Sequence, residues 1–154
     1  MDDKNLELKE IFTTATTNHQ KGNYEIAENL YKKILKAKPE NINVMNNLAT
    51  LYIQTGYAKM ALNILQNLLK NEPNNLKANS SLGITYTHLF EYQKAIECHK
   101  KVIETEPKNA DEYNNIGINY NHLGESDLAS NYFHKEIENN SKHANAYNNL
   151  GILL

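Results

Sequence analysis

The stretch Ile42–Asn75 comes back twice further along the same chain. It reads Met45-x-x-Leu48-Ala49-x-x-Tyr52, then Gly56, Ala61-x-x-x-Leu65, Leu68 and Pro73. Moved on by 34 residues, it returns as Asn79-x-x-Leu82-Gly83-x-x-Tyr86, Ala95-x-x-x-His99, Val102 and Pro107. A second shift gives Tyr113-x-x-Ile116-Gly117-x-x-Tyr120, Gly124 and Ala129-x-x-x-Phe133, and a third gives Tyr147-x-x-Leu150-Gly151. In the other direction the second half of the unit appears as Gly22, Ala27-x-x-x-Tyr31, Ile34 and Pro39. A fixed period of this length is the signature of a solenoid, in which each unit buries its apolar face only against its neighbours.

The spacing has a physical cause. Met45, Leu48, Ala49 and Tyr52 stand at i, i+3, i+4 and i+7, one face of an α-helix, and Ala61, Leu65 and Leu68 form a second stripe of the same period. Gly56 lies between them, where a helix pair needs a residue that tolerates positive φ. Pro73 ends the second helix and starts the turn into the next pair. Small residues at Ala49, Gly83, Gly117 and at Ala61, Ala95, Ala129 let paired backbones approach closely. A larger side chain there would overpack, at about 1–3 kcal/mol.

With its aromatic, Leu-Gly, Tyr, Ala, Phe/Tyr and Pro places, the pattern resembles the tetratricopeptide repeat, and the resemblance runs from about Leu8 to Leu154. It implies an all-α, right-handed superhelical solenoid of antiparallel helix pairs: four pairs plus one extra helix. The chain then reads as one domain with repeats at about 8–41, 42–75, 76–109 and 110–143 and a half repeat at 144–154. Helices are expected at 4–20, 24–38, 43–55, 58–71, 76–89, 92–106, 110–123 and 126–140, with a ninth from 144.

Composition removes several function classes. The chain has 154 residues, a formal net charge of −2 and a pI near 6.3, without the basic stripe of a nucleic-acid binder. No run of about 18 apolar residues is present, so no membrane insertion is expected. The start Met1-Asp2-Asp3-Lys4 is polar, with no apolar signal core behind it. Cys98 is the single cysteine, which excludes an internal disulfide framework and suits a reducing, cytoplasmic setting. No phosphate-binding glycine loop, metal cluster or Ser/His/Asp constellation stands out, so no cofactor, no metal and no catalysis are expected. Acidic residues are expected on outer faces.

Four departures from the repeat carry expectations of their own. Thr14 and Asn18 stand where the first repeat wants Leu and Tyr, which marks an atypical terminal unit facing solvent. Phe90 replaces the glycine of the third turn, which should therefore be built differently. Ser141 replaces the proline that closes the fourth unit, and Glu136 takes the place held by Ile34, Leu68 and Val102, so a wetter, looser joint is expected before the last helix. Finally, Leu153 and Leu154 should face a helix that does not follow. This suggests either a piece of a longer chain or end-to-end self-association through the C-terminal helix.

By the resemblance, the first helix of each pair lines a concave groove. Its places carry Asn43, Asn46, Asn47, Thr50 and Gln54, then Lys77, Ser80, Ser81, Ile84 and His88. The fourth repeat supplies Asp111, Asn114, Asn115, Ile118 and His122, and the last helix Asn145, Asn148, Asn149 and Ile152. Each set lies on one helix face. The row is amide-rich and nearly neutral, and an Asn amide can pair with both the N–H and the C=O of an extended peptide. Asn47, Asn115 and Asn149 occupy equivalent places and look like the asparagine ladder of O-linked N-acetylglucosamine transferase repeats, which holds peptide main chain, here short and broken at Ser81 and Thr13. The carboxylate clamp for chaperone tails fits poorly: of Phe12, Thr16, Asn47, Lys77 and Ser81 only Asn47 and Lys77 match. His88 and His122 share a place in successive units, His99 stands at an aromatic core place and is expected to be packed and neutral, and Cys98 is expected to be structural. About one residue in six is Asn, well above the usual share.

The reading is a non-catalytic scaffold that binds a protein or peptide segment in the groove, with little salt dependence. Two alternatives stay open: the targeting arm of a larger glycosyltransferase- or sulfotransferase-type enzyme, and a self-assembling protein stacking through its C-terminal end.

Overall fold

The computed structural model describes residues 3–140 and 144–152, and every regular element among them is an α-helix. The chain forms two compact units, Met1–Pro73 and Asn74–Leu154, which meet at a repeat boundary in the sequence. The first unit holds α1 (Asp3–Gln20), α2 (Tyr24–Ala37), α3 (Ile42–Gln54) and α4 (Ala58–Asn71). The second holds α5 (Leu76–His88), α6 (Tyr92–Thr105), α7 (Ala110–His122), α8 (Ser126–Asn139) and α9 (Ala144–Ile152). Ser141, Leu153 and Leu154 lie outside the described residues, as do the side chains of Asn145 and Ile152.

Within each unit the order of packing follows the order of the chain. The pairs α1–α2, α3–α4, α5–α6 and α7–α8 each pack together, and α2–α3, α6–α7 and α8–α9 join successive pairs. The short turns inside the pairs make their helices antiparallel. Ala27, Tyr31 and Ile34 of α2 are buried, as are Ala61, Leu65 and Leu68 of α4, Ala95, His99 and Val102 of α6, and Ala129, Phe133 and Glu136 of α8. The inward stripe therefore falls where the periodicity puts it, even where a carboxylate takes the last place: Glu136 is 0% exposed.

The small residues have a direct steric reason. A methyl added at Gly117 would lie 2.5 Å from Cε1 of Phe133, and one at Gly83 would lie 2.5 Å from Cε1 and Nε2 of His99. The first helix of each pair thus sits directly on the large side chain of the second. At Gly151, the same place in α9, an added methyl meets nothing within 4 Å.

The turn at Phe90 corrects the expectation drawn from sequence. Phe90 takes φ 62°, beside 79°, 80° and 78° at Gly22, Gly56 and Gly124. The hydrogen bonds are the same too. Phe90 N–H donates to Thr87 C=O at 3.0 Å and Glu91 N–H to Tyr86 C=O at 2.9 Å, as Gly56 does to Ile53 and Tyr57 to Tyr52. These two bonds satisfy carbonyls left over at the helix end, and they hold the left-handed conformation whatever the residue. The Phe90 side chain is 78% exposed, so no packing opposes it; the cost is the local clash of its Cβ.

Part of the asparagine excess has a structural use. Asn41, Asn75 and Asn109 precede α3, α5 and α7 at the repeat interval. Asn41 Oδ1 accepts from Val44 N–H at 3.2 Å and Asn75 Oδ1 from Ala78 N–H at 3.0 Å, which caps two otherwise bare helix starts. Asn109 instead donates to Glu106 Oε2 at 3.0 Å. In α1, Thr13 and Thr14 are exposed and their hydroxyls bond back to the carbonyls of Lys9 and Glu10. That is the solvent-facing first helix expected from its sequence.

Two stability tests follow. Gly117→Ala should lower unfolding free energy by about 1–3 kcal/mol, because Phe133 must move. Gly151→Ala should change it little or raise it, as alanine is the better helix former by about 1 kcal/mol. Equal effects in urea unfolding would contradict the close-approach account. Phe90→Gly should raise stability by about 1 kcal/mol by relieving the left-handed strain, with an unchanged circular dichroism spectrum.

Candidate functional site

In the first unit, α1, α2 and α3 place a polar network on one side of the helices. Tyr31 on α2 is fully buried at the ring. Its hydroxyl lies 3.3 Å from His19 Nδ1 on α1, and Asn47 on α3 bonds it as well. His19 Nε2 reaches Gln54 Oε1 of α3 at 2.9 Å. The amide oxygen is an acceptor, so Nε2 carries the proton and Nδ1 accepts from the Tyr31 hydroxyl. Burial pushes the Tyr31 phenol above its ordinary value, and the Asn47 bond pulls the other way. The His19 ring also stands edge-on to Tyr24 and Tyr31, at 5.9 and 6.0 Å between centroids. A cleft of about 330 Å³ opens over these residues, with Thr16 at its edge.

The groove residues read from sequence are not all alike. Asn43 and Gln54 are exposed, and Asn47 and Thr50 are half-buried. Asn46 is only 3% exposed, which corrects its assignment as groove-facing: it stands beside Met45 in the buried part of α3. Ser81 is likewise buried at 8%, and it lines the narrow cleft that also holds Lys77 and Ser80. Lys77, Asp111, His88 and His122 are exposed, and Ile84, Asn114, Asn115 and Ile118 are half-buried. Asn149 spends a donor on Asn114 Oδ1 at 2.8 Å, which ties α9 to α7. The His122 ring stacks flat on Tyr92 of α6, 4.7 Å away at 8°. Among the described residues no group of three His, Cys, Asp or Glu could hold a metal ion.

The second unit contains a buried polar chain that the repeat pattern does not announce. Ser80 Oγ donates to Glu112 Oε1 at 2.5 Å, and Glu112 Oε2 lies 2.6 Å from His99 Nδ1. His99 is 0% and Glu112 3% exposed, against the expectation that acidic residues lie outside. The order is wrong for catalysis: the carboxylate lies between serine and histidine, so no imidazole stands ready to take the serine proton. The far nitrogen, Nε2, is buried without a hydrogen bond and faces the Gly83 backbone. The job of this buried polar chain is structural, joining α5, α6 and α7. Cys98 beside it is 7% exposed, and burial pushes its thiol up to about 11, far from a reactive thiolate.

The repeat register supplies a test of this chain. Val44 and Ala78 stand at the place of Glu112, and Leu65 and Phe133 at that of His99. His99→Phe alone should cost about 3 kcal/mol, because it strands a buried carboxylate. Adding Glu112→Val should recover most of the loss. A double variant no more stable than the single one, by urea unfolding, would contradict the pairing.

Two family models described as tetratricopeptide repeat match the chain, at residues 19–82 and 76–109. No curated protein matches it. Among solved structures, two of MamA are similar at 27% and 26% identity, with TM-scores of 0.82 and 0.84. They cover 90% and 95% of this chain and 81% and 80% of theirs. A thermophilic TPR protein in Thermus thermophilus shares the fold at 20% identity and a TM-score of 0.80, over 95% of this chain and 80% of its own.

Proposed function

The chain belongs to the tetratricopeptide repeat family, and from that premise we propose that it is a non-catalytic scaffold that docks an extended segment of a partner protein. The observation that carries this reading is the cleft over His19, Tyr31, Asn47 and Gln54. It is lined by amides, a hydroxyl and an imidazole, and these match the alternating N–H and C=O of an extended main chain. The Tyr31–His19–Gln54 bonds hold α1 against α3 and fix the rotamers at the cleft, so little side-chain freedom remains to be lost on binding. Tyr24 at its margin offers an aromatic edge for the partner's side chains. The second unit presents its own polar row on α5, α7 and α9, with Asn115, Ile118 and the Asn114–Asn149 pair as contacts.

Peptides selected by display on the immobilised chain, then measured by calorimetry, test the reading. Asn47→Ala with Gln54→Ala should weaken the selected peptides about tenfold, two hydrogen bonds at roughly 0.5–1.5 kcal/mol each, while the lost bonds to Tyr31 and His19 lower the melting temperature and helicity at the assay temperature is retained. Retention of full affinity by that variant would move the site elsewhere.

A further inference from the structure

A second cleft in the first unit differs in character from the amide face beside it. It measures about 650 Å³ and lies among the start of α1, the end of α2 and the start of α3. Leu6, Leu8, Phe12 and Ile34 supply its apolar lining, and Lys9 and Lys38 its cations. Leu6 is 53% exposed, while Ile34 at 1% forms the floor. No carboxylate is among the described residues that line it. Lys38 Nζ donates to the neutral Asn5 Oδ1 at 2.6 Å, and neither lysine has an acidic partner among the described residues.

The repeat register shows that two of these features, Phe12 and Lys38, are particular to this repeat. Phe12 stands where the later repeats carry Asn46, Ser80 and Asn114. Lys38 stands where they carry Glu72, Glu106 and Asn140. In the third repeat the cleft of the same register is about 270 Å³; Leu76, Lys77 and Val102 line it at the places of Leu8, Lys9 and Ile34, together with Ser80, Glu106 and Glu112. The first repeat has therefore enlarged the cleft, replaced its serine with an aromatic ring and exchanged its carboxylates for a second lysine. An apolar cleft of a few hundred cubic ångströms with a few placed polar groups is the usual form of a binding pocket.

We propose that this cleft anchors a bulky apolar side chain of a partner peptide in which Asp or Glu flanks the apolar residue, with the carboxylates on Lys9 and Lys38. The proposal rests on the protein-binding reading and names the chemistry of the partner. Charge complementarity selects the acidic flanks, and the apolar lining of Leu6, Leu8 and Phe12 selects the anchor. It also changes the expected salt response. Contacts to main chain on the amide face should be insensitive to salt, whereas the two lysines make this end of the site salt-dependent.

The probe is a fluorescent peptide with the core Asp-Asp-Leu-Phe-Asp-Asp, measured by anisotropy with the full chain. One control carries Asn for every Asp, and another Ala for Leu and Phe. The parent peptide should bind more tightly than both controls and weaken as salt is raised. Lys9→Gln with Lys38→Gln should lower its affinity about tenfold, to the level of the Asn control, and abolish the salt response. Phe12→Asn, which installs the residue of the second and fourth repeats, should weaken the parent with helicity unchanged. Equal binding of the parent and Asn peptides, or full affinity in the lysine variant, overturns the proposal. Loss of parent binding only in the Asn47→Ala, Gln54→Ala variant also overturns it but leaves the protein-binding reading standing. If no probe or display-selected peptide binds, both fall. Binding of decanoate without the peptide would overturn the peptide in favour of a small amphiphilic acid. A concentration-dependent mass abolished by the lysine variant, with no peptide bound, would overturn it in favour of a second copy.

Discussion

Everything in this fold depends on how closely two helices can lie. In each pair, one place on the first helix must be nearly empty so that a ring or branched chain on the second can fill it. Gly117 under Phe133 and Gly83 under His99 show the constraint in atomic detail, and Ala49, fully buried, occupies the same place in the first unit. Because the second helix is buried from that contact to its last inward residue, its direction fixes where the next pair begins. The faces left over on the first helices then become the surfaces available for binding. A requirement about a missing methyl group thus decides where function can reside.

The helices themselves are legible in the sequence to within about a residue at most ends, because apolar periodicity and turn residues agree at every unit. What is not legible depends on chemistry outside the pattern. The Phe90 turn departs from its expectation because two backbone hydrogen bonds, rather than residue type, impose the conformation. Glu112 is inconspicuous because its place holds Val44 and Ala78 in other repeats, and only the fold brings His99 and Ser80 to its two oxygens. Asn46 passes for a groove residue because helical spacing gives an angle around the axis but not the depth to which neighbouring helices cover it. His19 lies in the helix that matches the repeat least, so no register points to it, although its place aligns with Ile53.

Polar residues serve two distinct ends in this chain. Some are consumed internally: the Ser80–Glu112–His99 chain, and Thr87 on α5 donating at 2.9 Å to Asn119, itself 1% exposed on α7. These join helices and penalise any slip between them, since a half-made polar contact in the interior is worse than none. Others lie half-open on the first-unit face, positioned by Tyr31 from beneath. The same residue type therefore signals different things by depth alone. The abundance of Asn has three structural sources at once: caps, interior bridges and surface amides.

The Asn caps at the repeat interval also bear on how the chain reaches its fold. Asn41 and Asn75 each close a loop of only three residues to start a helix, and each helix then packs on one that is adjacent or next-but-one in the chain. Native contacts are therefore short in sequence, and the entropy of closing each is small. Such a topology assembles quickly and from several starting points, because no distant segments have to meet for the first favourable contacts to form.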